Sequence, residues 1–286
     1  MARSKGRAVE HGRVSALPAN TERPDRFMRL GLAMLALLVV LALAGPWLAG
    51  IASDFINLER RLLPPLSDGA LLGTDQLGRD MLARLMAGLR WSLATATLAT
   101  LIAFLLGLGF GMIAAAGKWP LAPLVLQVTA LAQAFPVFVL AAAVIAIVGS
   151  GFWAIVTTLG LVTWPAFARV VAAEAASLRT REYVLAAQMM HMPLWRLYAV
   201  HLLPGLVPSL ATLVAFHVAD MLIAESALSF LGIGAGLGQA TWGTMLSESR
   251  AYLLTAPWML LIPAAAVVIV VIAFNLVGDG LRRRFA

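Results

Sequence analysis

The sequence predicts an all-α, polytopic membrane protein with six transmembrane helices. Of its 286 residues, 61% are hydrophobic and only 12% are charged, whereas a soluble domain is nearer half apolar and a quarter charged. Mean hydropathy is +0.90. The apolar residues fall in six blocks, each long enough to supply the roughly 20 residues that cross hydrocarbon. The basic residues mostly flank these blocks.

In chain order the predicted spans cover residues 30–49, 91–116, 121–148, 152–171, 206–233 and 256–277. The first follows a basic lead and contains Ala42-Leu43-Ala44, as a cleaved leader would. Its apolar run exceeds the usual h-region and its lead is long, so a retained span is expected. The third is long enough to tilt, or to break at Pro136, whose ring removes a backbone hydrogen bond. The chain then divides into a basic tail (1–29), a first span (30–50), a segment leading into span two (51–90) and a five-helix domain (91–281) holding a polar loop at 172–203.

Charge sets the expected orientation. The tail carries Arg3, Lys5, Arg7, Arg13, Arg23, Arg26 and Arg29. Placing it in the cytoplasm also puts Lys118, Arg169, the 172–203 loop and Arg282-Arg283-Arg284 inside, fifteen of the 21 basic residues. Both termini are then cytoplasmic. The five arginines of 51–90 are offset by five acids. A net charge of +7 is therefore read as topology and not as a nucleic-acid footprint. Cysteine is absent, which excludes disulfides and thiolate metal sites.

Several patterns imitate chemistry. "GMIAAAGKW" (111–119) has five residues between its glycines, Trp119 where a P-loop needs Ser or Thr, and a membrane helix before it where a P-loop needs a strand. Gly107 and Gly111 form a Gly-x-x-x-Gly suited to close helix packing. No metalloprotease, serine-hydrolase or intramembrane aspartyl pattern is present. His191 and His201 are ten residues apart; on one helix they stand about 80° from eclipsed and about 15 Å apart, with no third ligand nearby. Catalysis and a metal site here are both disfavoured.

The stretch "REYVLAAQMMHMPLWRLYAVHLLPG" (181–205) is polar within an oily chain. Residues 183–190 read as a helix in which small Ala186 and Ala187 admit a neighbouring backbone. Pro193 disfavours helix before it and suits the first turn of a new one. A helix–break–helix is predicted, either an ordinary connection or a contact surface for a cytoplasmic partner.

Glu182-Tyr183-Val184, Ala186-Ala187, His201 and Pro204 resemble the EAA loop of ABC importer permeases. "LGTDQLGRDMLARLMAGLRWSL" (72–93), "WPAFARVV" (164–171), and "LSFLGIG", "WGTMLSESRAYLLTAPW" and "AFNLVGDGLR" within 228–282 resemble the dipeptide, oligopeptide and nickel permeases of the second-permease type. The matches run from about residue 70 to the end. The sequence departs from the pattern at Leu185 (usually Glu), at His191 (usually Gly), at Ala130 (usually Asp) and in lacking a terminal Asp-Pro. Histidine takes positive φ only as a minority state, so the break is expected to depend on Pro193.

The resemblance implies the type I ABC importer permease fold in a bacterial cytoplasmic membrane. The chain would be one half of the path, with no enzymatic activity. Implied partners are a sister permease in a heterodimer, two ATP-binding subunits, an extracytoplasmic solute-binding protein and membrane lipid, with no nucleic acid. ATP and Mg²⁺ would sit on the ATPases and no cofactor on this chain. Residues 182–192 would receive the ATPases; parts of 51–90 and 234–255 would receive the binding protein, with Trp242 and Trp258 in an interfacial belt. Implied cargo is di- or oligopeptide, with nickel or a metal chelate as the alternative. A solitary channel or secondary transporter is the competing class, for which an EAA-like loop has no use.

Span five carries costly groups. His217 and Asp220 are i,i+3 neighbours, Met221 is i,i+4 from His217, and Glu225 lies a turn further. Ionisable groups in a membrane pair with one another or face a wet path. A His217–Asp220 pair that locks the helices and a cargo path lined by these groups both fit. Gln127 and Gln133 of span three are candidates for the path or for core hydrogen bonding.

Overall fold

A computed structural model describes residues 24–48, 52–67, 69–116, 121–236 and 238–285. The tail residues Arg3, Lys5, Arg7, Arg13 and Arg23, the end of span one at Ala49, and Gly117, Lys118 and Trp119 of the P-loop-like stretch lie outside them. Ten α-helices follow in order among the described residues: α1 (Pro24–Leu48), α2 (Met81–Ala115), α3 (Ala122–Gln133), α4 (Val137–Val148), α5 (Phe152–Arg179), α6 (Glu182–Met189), α7 (Leu194–Leu197), α8 (Leu203–Phe230), α9 (Trp242–Ser249) and α10 (Trp258–Phe285). A π-helical turn, Tyr198–Leu202, joins α7 to α8, so an apolar rod runs unbroken from Leu194 to Phe230. Among the described residues there is no strand, only isolated bridges at Ser67–Ala70 and Thr74–Asp80.

Among the described residues five helices are long and apolar enough to cross a membrane, and α3 with α4 forms a sixth candidate bent by 90°. The bend falls at Pro136, which caps α4 with φ −58° and ψ 126°. Its missing N–H and its clash with a helical Phe135 end α3 three residues earlier. Other boundaries differ from expectation. Span two begins at Met81, ten residues before 91, because Asp80 caps it by accepting from the Ala83 N–H at 2.9 Å. Span four continues to Arg179, and the sixth runs from Trp258 to Phe285. The expected loop at 172–203 is therefore helical over most of its length.

Close approach organises the bundle. The contact between α2 and α5 is the most extensive in the described chain. It is possible because Gly107 and Gly111 present bare backbone to α5. A Cβ on Gly107 would meet the Trp164 carbonyl at 2.8 Å, and one on Gly111 the Ala168 carbonyl at 2.7 Å. The packing role expected for this Gly-x-x-x-Gly is what the structure holds. Helices α5 and α8 run antiparallel: Thr163 meets Met221, Phe167 meets His217 and Glu174 meets Ser209. Gly280 of α10 lies against Met28 of α1, and Gly278 against Phe216 of α8. This register brings Pro24 and Phe285 to the end of the bundle that carries α6.

The opposite end is built by 52–80. Thr74 Oγ1 donates to the Arg60 carbonyl at 2.5 Å and accepts from the Leu63 N–H at 2.9 Å. Gly78 has φ +71° and sits where any Cβ would overlap the Asn57 carbonyl, so only glycine closes this turn. The run Gly-Thr-Asp-Gln-Leu-Gly-Arg-Asp is thus a self-bonded turn that ends in the cap of α2.

Candidate functional site

Two regions gather the residues singled out in the sequence. The first is the helix–break–helix beyond α5. Helix α6 presents Val184 and Ala187, 0% and 2% exposed, to a cluster of Ala175, Leu178, Leu197, Leu202 and Leu206. Glu182, Tyr183, Leu185 and Ala186 face away. The two adjacent alanines therefore do different work: Ala187 fastens the helix to the bundle and Ala186 lies on its free face. Beyond them Met189 is 80% and Trp195 72% exposed, with Met190 and Leu194 beside them.

His191 ends α6 and itself takes the left-handed conformation, φ +54°. Its N–H donates to the Gln188 carbonyl at 3.0 Å, and the Met192 N–H to the Ala187 carbonyl at 3.2 Å. This is the Schellman pattern, with histidine in the place glycine usually fills. The turn survives the exchange, and Pro193 (φ −63°, ψ 141°) then opens α7. His191 is exposed, so its side chain is free of the packing that would forbid this geometry. His201 lies in the π-helical turn, 6.1 Å from the Tyr183 ring, and its Nε2 is buried without a hydrogen-bond partner among the described residues. Pro204 stands just past the π-helical turn, inside the continuous rod. No cluster of three or more His, Cys, Asp or Glu suited to a metal exists among the described residues.

The second region is an open cleft of about 670 Å³ between the 132–138 break, α5 and α8. It is lined by Gln133, His217, Asp220 and Met221, four of the six path candidates. Arg169 lines it too. Arg169 falls within the expected span four, 152–171, and is counted with the cytoplasmic loop only in the charge balance. The continuation of α5 places it inside the helix, and its motif "WPAFARVV" was the available signal.

The cleft corrects several expectations. His217 does not pair with Asp220. Its Nδ1 lies 3.3 Å from Thr100 Oγ1 and its ring rests on Phe167 with centroids 4.7 Å apart, which turns the imidazole toward α2 and α5. Glu225 is outside the cleft and fully buried. Ser92 and Ser229 each donate to its carboxylate at 2.8 Å, so it ties α8 to α2. Gln127 does not line the cleft, and both glutamines are exposed on α3 without, among the described residues, the core hydrogen bonds offered as their alternative. Trp242, expected in an interfacial belt, is 1% exposed and donates to the Leu85 carbonyl at 3.1 Å. Trp258 donates to the Thr74 carbonyl at 3.1 Å.

A further cluster was missed. Asp75, wholly buried, accepts from the Leu77 and Arg79 N–H groups, from Arg79 Nε at 2.6 Å and from Arg84 Nη1 at 2.5 Å. Arg79 and Arg84 also reach Glu248 on α9, at 2.8 and 2.6 Å. Burial alone would raise the Glu248 carboxyl; the hydrogen bond and charge of Arg84, with Gln76 and Arg79, outweigh it and hold the group below the ordinary carboxylate range. The equal count of arginines and acids in 51–90 was the visible trace of this network.

Residues 107–286 match the family described as binding-protein-dependent transport system inner membrane component. The nickel transport system permease protein of Escherichia coli K12 is 35% identical over 255 residues, 89% of this chain and 92% of that one. The glutathione transport system permease protein of Pectobacterium atrosepticum is 34% identical over 90% of this chain and 87% of its own length. The dipeptide transport system permease protein of Alkalihalophilus pseudofirmus is 32% identical over 91% and 85%. In fold, the chain is similar to a chain of the MetNI methionine ABC transporter, with a TM-score of 0.62 at 20% identity, covering 72% of this chain and 98% of that one. The chain belongs to the binding-protein-dependent transport system inner membrane components, as a multi-pass ABC importer permease of the peptide and nickel group.

Proposed function

We propose that this chain forms one half of the path of a peptide importer and takes its motion from ATP hydrolysed on separate subunits. The observation that carries the reading is α6. Val184 and Ala187 anchor it to the bundle while Leu185, Met189, Met190 and Trp195 stand exposed beside it. Helix α5 is 28 residues long, about 42 Å against about 30 Å of hydrocarbon, so α6 lies past the apolar slab. A contiguous apolar patch there calls for a protein partner. In this reading two ATP-binding subunits, carrying ATP and Mg²⁺, seat the patch, and a sister permease closes the open side of the cleft. A solute-binding protein delivers cargo to the end built by 52–80 and α9. The α6 end, with Pro24, Phe285 and Arg282-Arg283-Arg284, is cytoplasmic, in keeping with its basic charge.

Peptide cargo is favoured by the relatives named for dipeptide and glutathione transport and by a cleft holding both an arginine and an aspartate. A bare nickel ion would be repelled by that arginine. His217 and Met221 in the same cleft, with the relative named for nickel, make metal cargo the second reading. Co-expression of this chain with its sister permease, ATPases and binding protein, followed by uptake of labelled trialanine into membrane vesicles, tests the proposal. ATP-dependent uptake supports it; vesicles that accumulate nickel but no peptide remove it.

A further inference from the structure

We propose that Arg169 and Asp220 select cargo by its two charged ends, Arg169 taking the carboxylate and Asp220 the ammonium of a short peptide with free termini. This rests on the peptide reading above and assigns its two recognition groups.

Both side chains are exposed and line the same cleft. Neither makes a hydrogen bond or ion pair among the described residues, to each other or to any neighbour. Unpaired guanidinium and carboxylate groups are costly within a membrane and persist where they face a wet path or a ligand. His217, the third ionisable group of the cleft, is occupied by Thr100 and Phe167. Among the described residues the cleft therefore offers one free cation and one free anion.

The two residues are offset along the cleft. In the antiparallel register of α5 and α8, the Thr163–Met221 contact puts Asp220 level with Trp164. Arg169 lies five residues further along α5, about 7–8 Å at the helical rise. The offset is of the order of two to three extended residues, at about 3.3–3.6 Å each, to which the reach of the two side chains is added. Arg169 and Gln133 also line a second cleft of about 530 Å³ walled by Ala172, Ala173 and Ala176 on α5. Cargo released from Asp220 thus has a way on toward the α6 end past small side chains. The guanidinium suits a carboxylate through paired N–H donors.

The test uses the full complex in proteoliposomes with trialanine, its C-terminal amide and its N-acetyl form, each compared between variant and wild type. Comparing one form across variants cancels the binding protein's own preference. Arg169→Gln is expected to slow trialanine about tenfold, the order expected for one charged hydrogen bond, while changing the amide less than twofold. Asp220→Asn is expected to slow trialanine and the amide and to leave the N-acetyl form unchanged. Arg169→Lys, which keeps the charge but loses the paired donors, should restore only part of the trialanine rate. Equal losses for all three forms, or loss of the sister subunit from the purified variant complex, would overturn the assignment while peptide transport by wild type stands. A wild-type complex that moves none of the three removes the peptide reading and this assignment with it.

Discussion

Arg84 Nη1 lies 2.6 Å from Glu248 Oε2, across 164 residues of sequence. The same nitrogen is 2.5 Å from Asp75 Oδ2. One buried guanidinium therefore joins the turn before α2 to α9 and fixes the end of the bundle where the binding protein is proposed to dock. Removing one partner of a buried ion network leaves the others uncompensated. Arg84→Met is expected to cost about 3–5 kcal/mol, seen as a lower melting temperature of the purified chain in detergent. A melting temperature within a degree of wild type would show that the network is not holding the two segments together.

The network also sets an acid limit. Glu248 is held below its ordinary range by Arg84 and Arg79 against the opposing effect of burial. Its contribution is thus present above the unfolded carboxylate pKa, about 4.3, and is lost as pH falls through the lower folded value. Thermal stability should be flat near neutrality and fall below about pH 4. Glu248→Gln should be less stable than wild type at neutral pH and should narrow the difference as the pH is lowered. A difference that stays constant with pH would contradict the linkage.

The two alanines of α6 separate docking from folding. Ala186→Glu and Met189→Glu place charge on the free face and should abolish co-purification of the ATPases while leaving the melting temperature within about two degrees, as exposed sites do. Ala187→Glu buries a charge against Leu178 and Leu206 and should unfold the segment instead. Retention of the ATPases by Met189→Glu would sink the coupling role.

The end of α6 carries measurable strain. Histidine in the left-handed region costs about 1 kcal/mol more than glycine, and only part of this returns as extra freedom of the unfolded glycine chain. His191→Gly should raise stability by about 0.5 kcal/mol, and His191→Val, branched at Cβ, should lower it by at least about 1 kcal/mol. Thermal shifts of the opposite sign would mean that the side chain makes a favourable contact.

Glu225 tests the assignment of packing against path. Glu225→Gln keeps an oxygen to accept from Ser92 or Ser229 and should leave transport within about twofold of wild type, whereas Glu225→Leu leaves both hydroxyls unpaired and should cost about 1–3 kcal/mol. A large transport loss in a stably folded Glu225→Gln complex would return this residue to the path.

Hydropathy blocks were enough to locate the spans, because twenty apolar residues have few other uses. The ends of the helices were less legible. Arg84 and Arg90 read as flanking charge, but α2 had already begun at Met81, since Arg84 is neutralised by partners 9 and 164 residues away. Arg169, counted with the loop charges, stands inside α5, where the cleft it lines keeps a cation wet. The i,i+3 spacing of His217 and Asp220 suggested a pair, yet spacing cannot show that Thr100 and Phe167 compete for the imidazole. Pro193, which acts through local covalent geometry, was readable as a helix boundary, and Pro136 as one of two options, a tilted or a broken span. His191 was readable as unusual, and only the backbone disclosed that it adopts the turn.

The central claim is tested most directly by ATP hydrolysis in the reconstituted complex of this chain, its sister permease, the two ATPases and the binding protein. The account predicts that hydrolysis rises when trialanine is supplied and stays at its basal rate with nickel chloride or a nickel–histidine chelate. Stimulation by nickel or its chelate alone, or by none of the three, would contradict it.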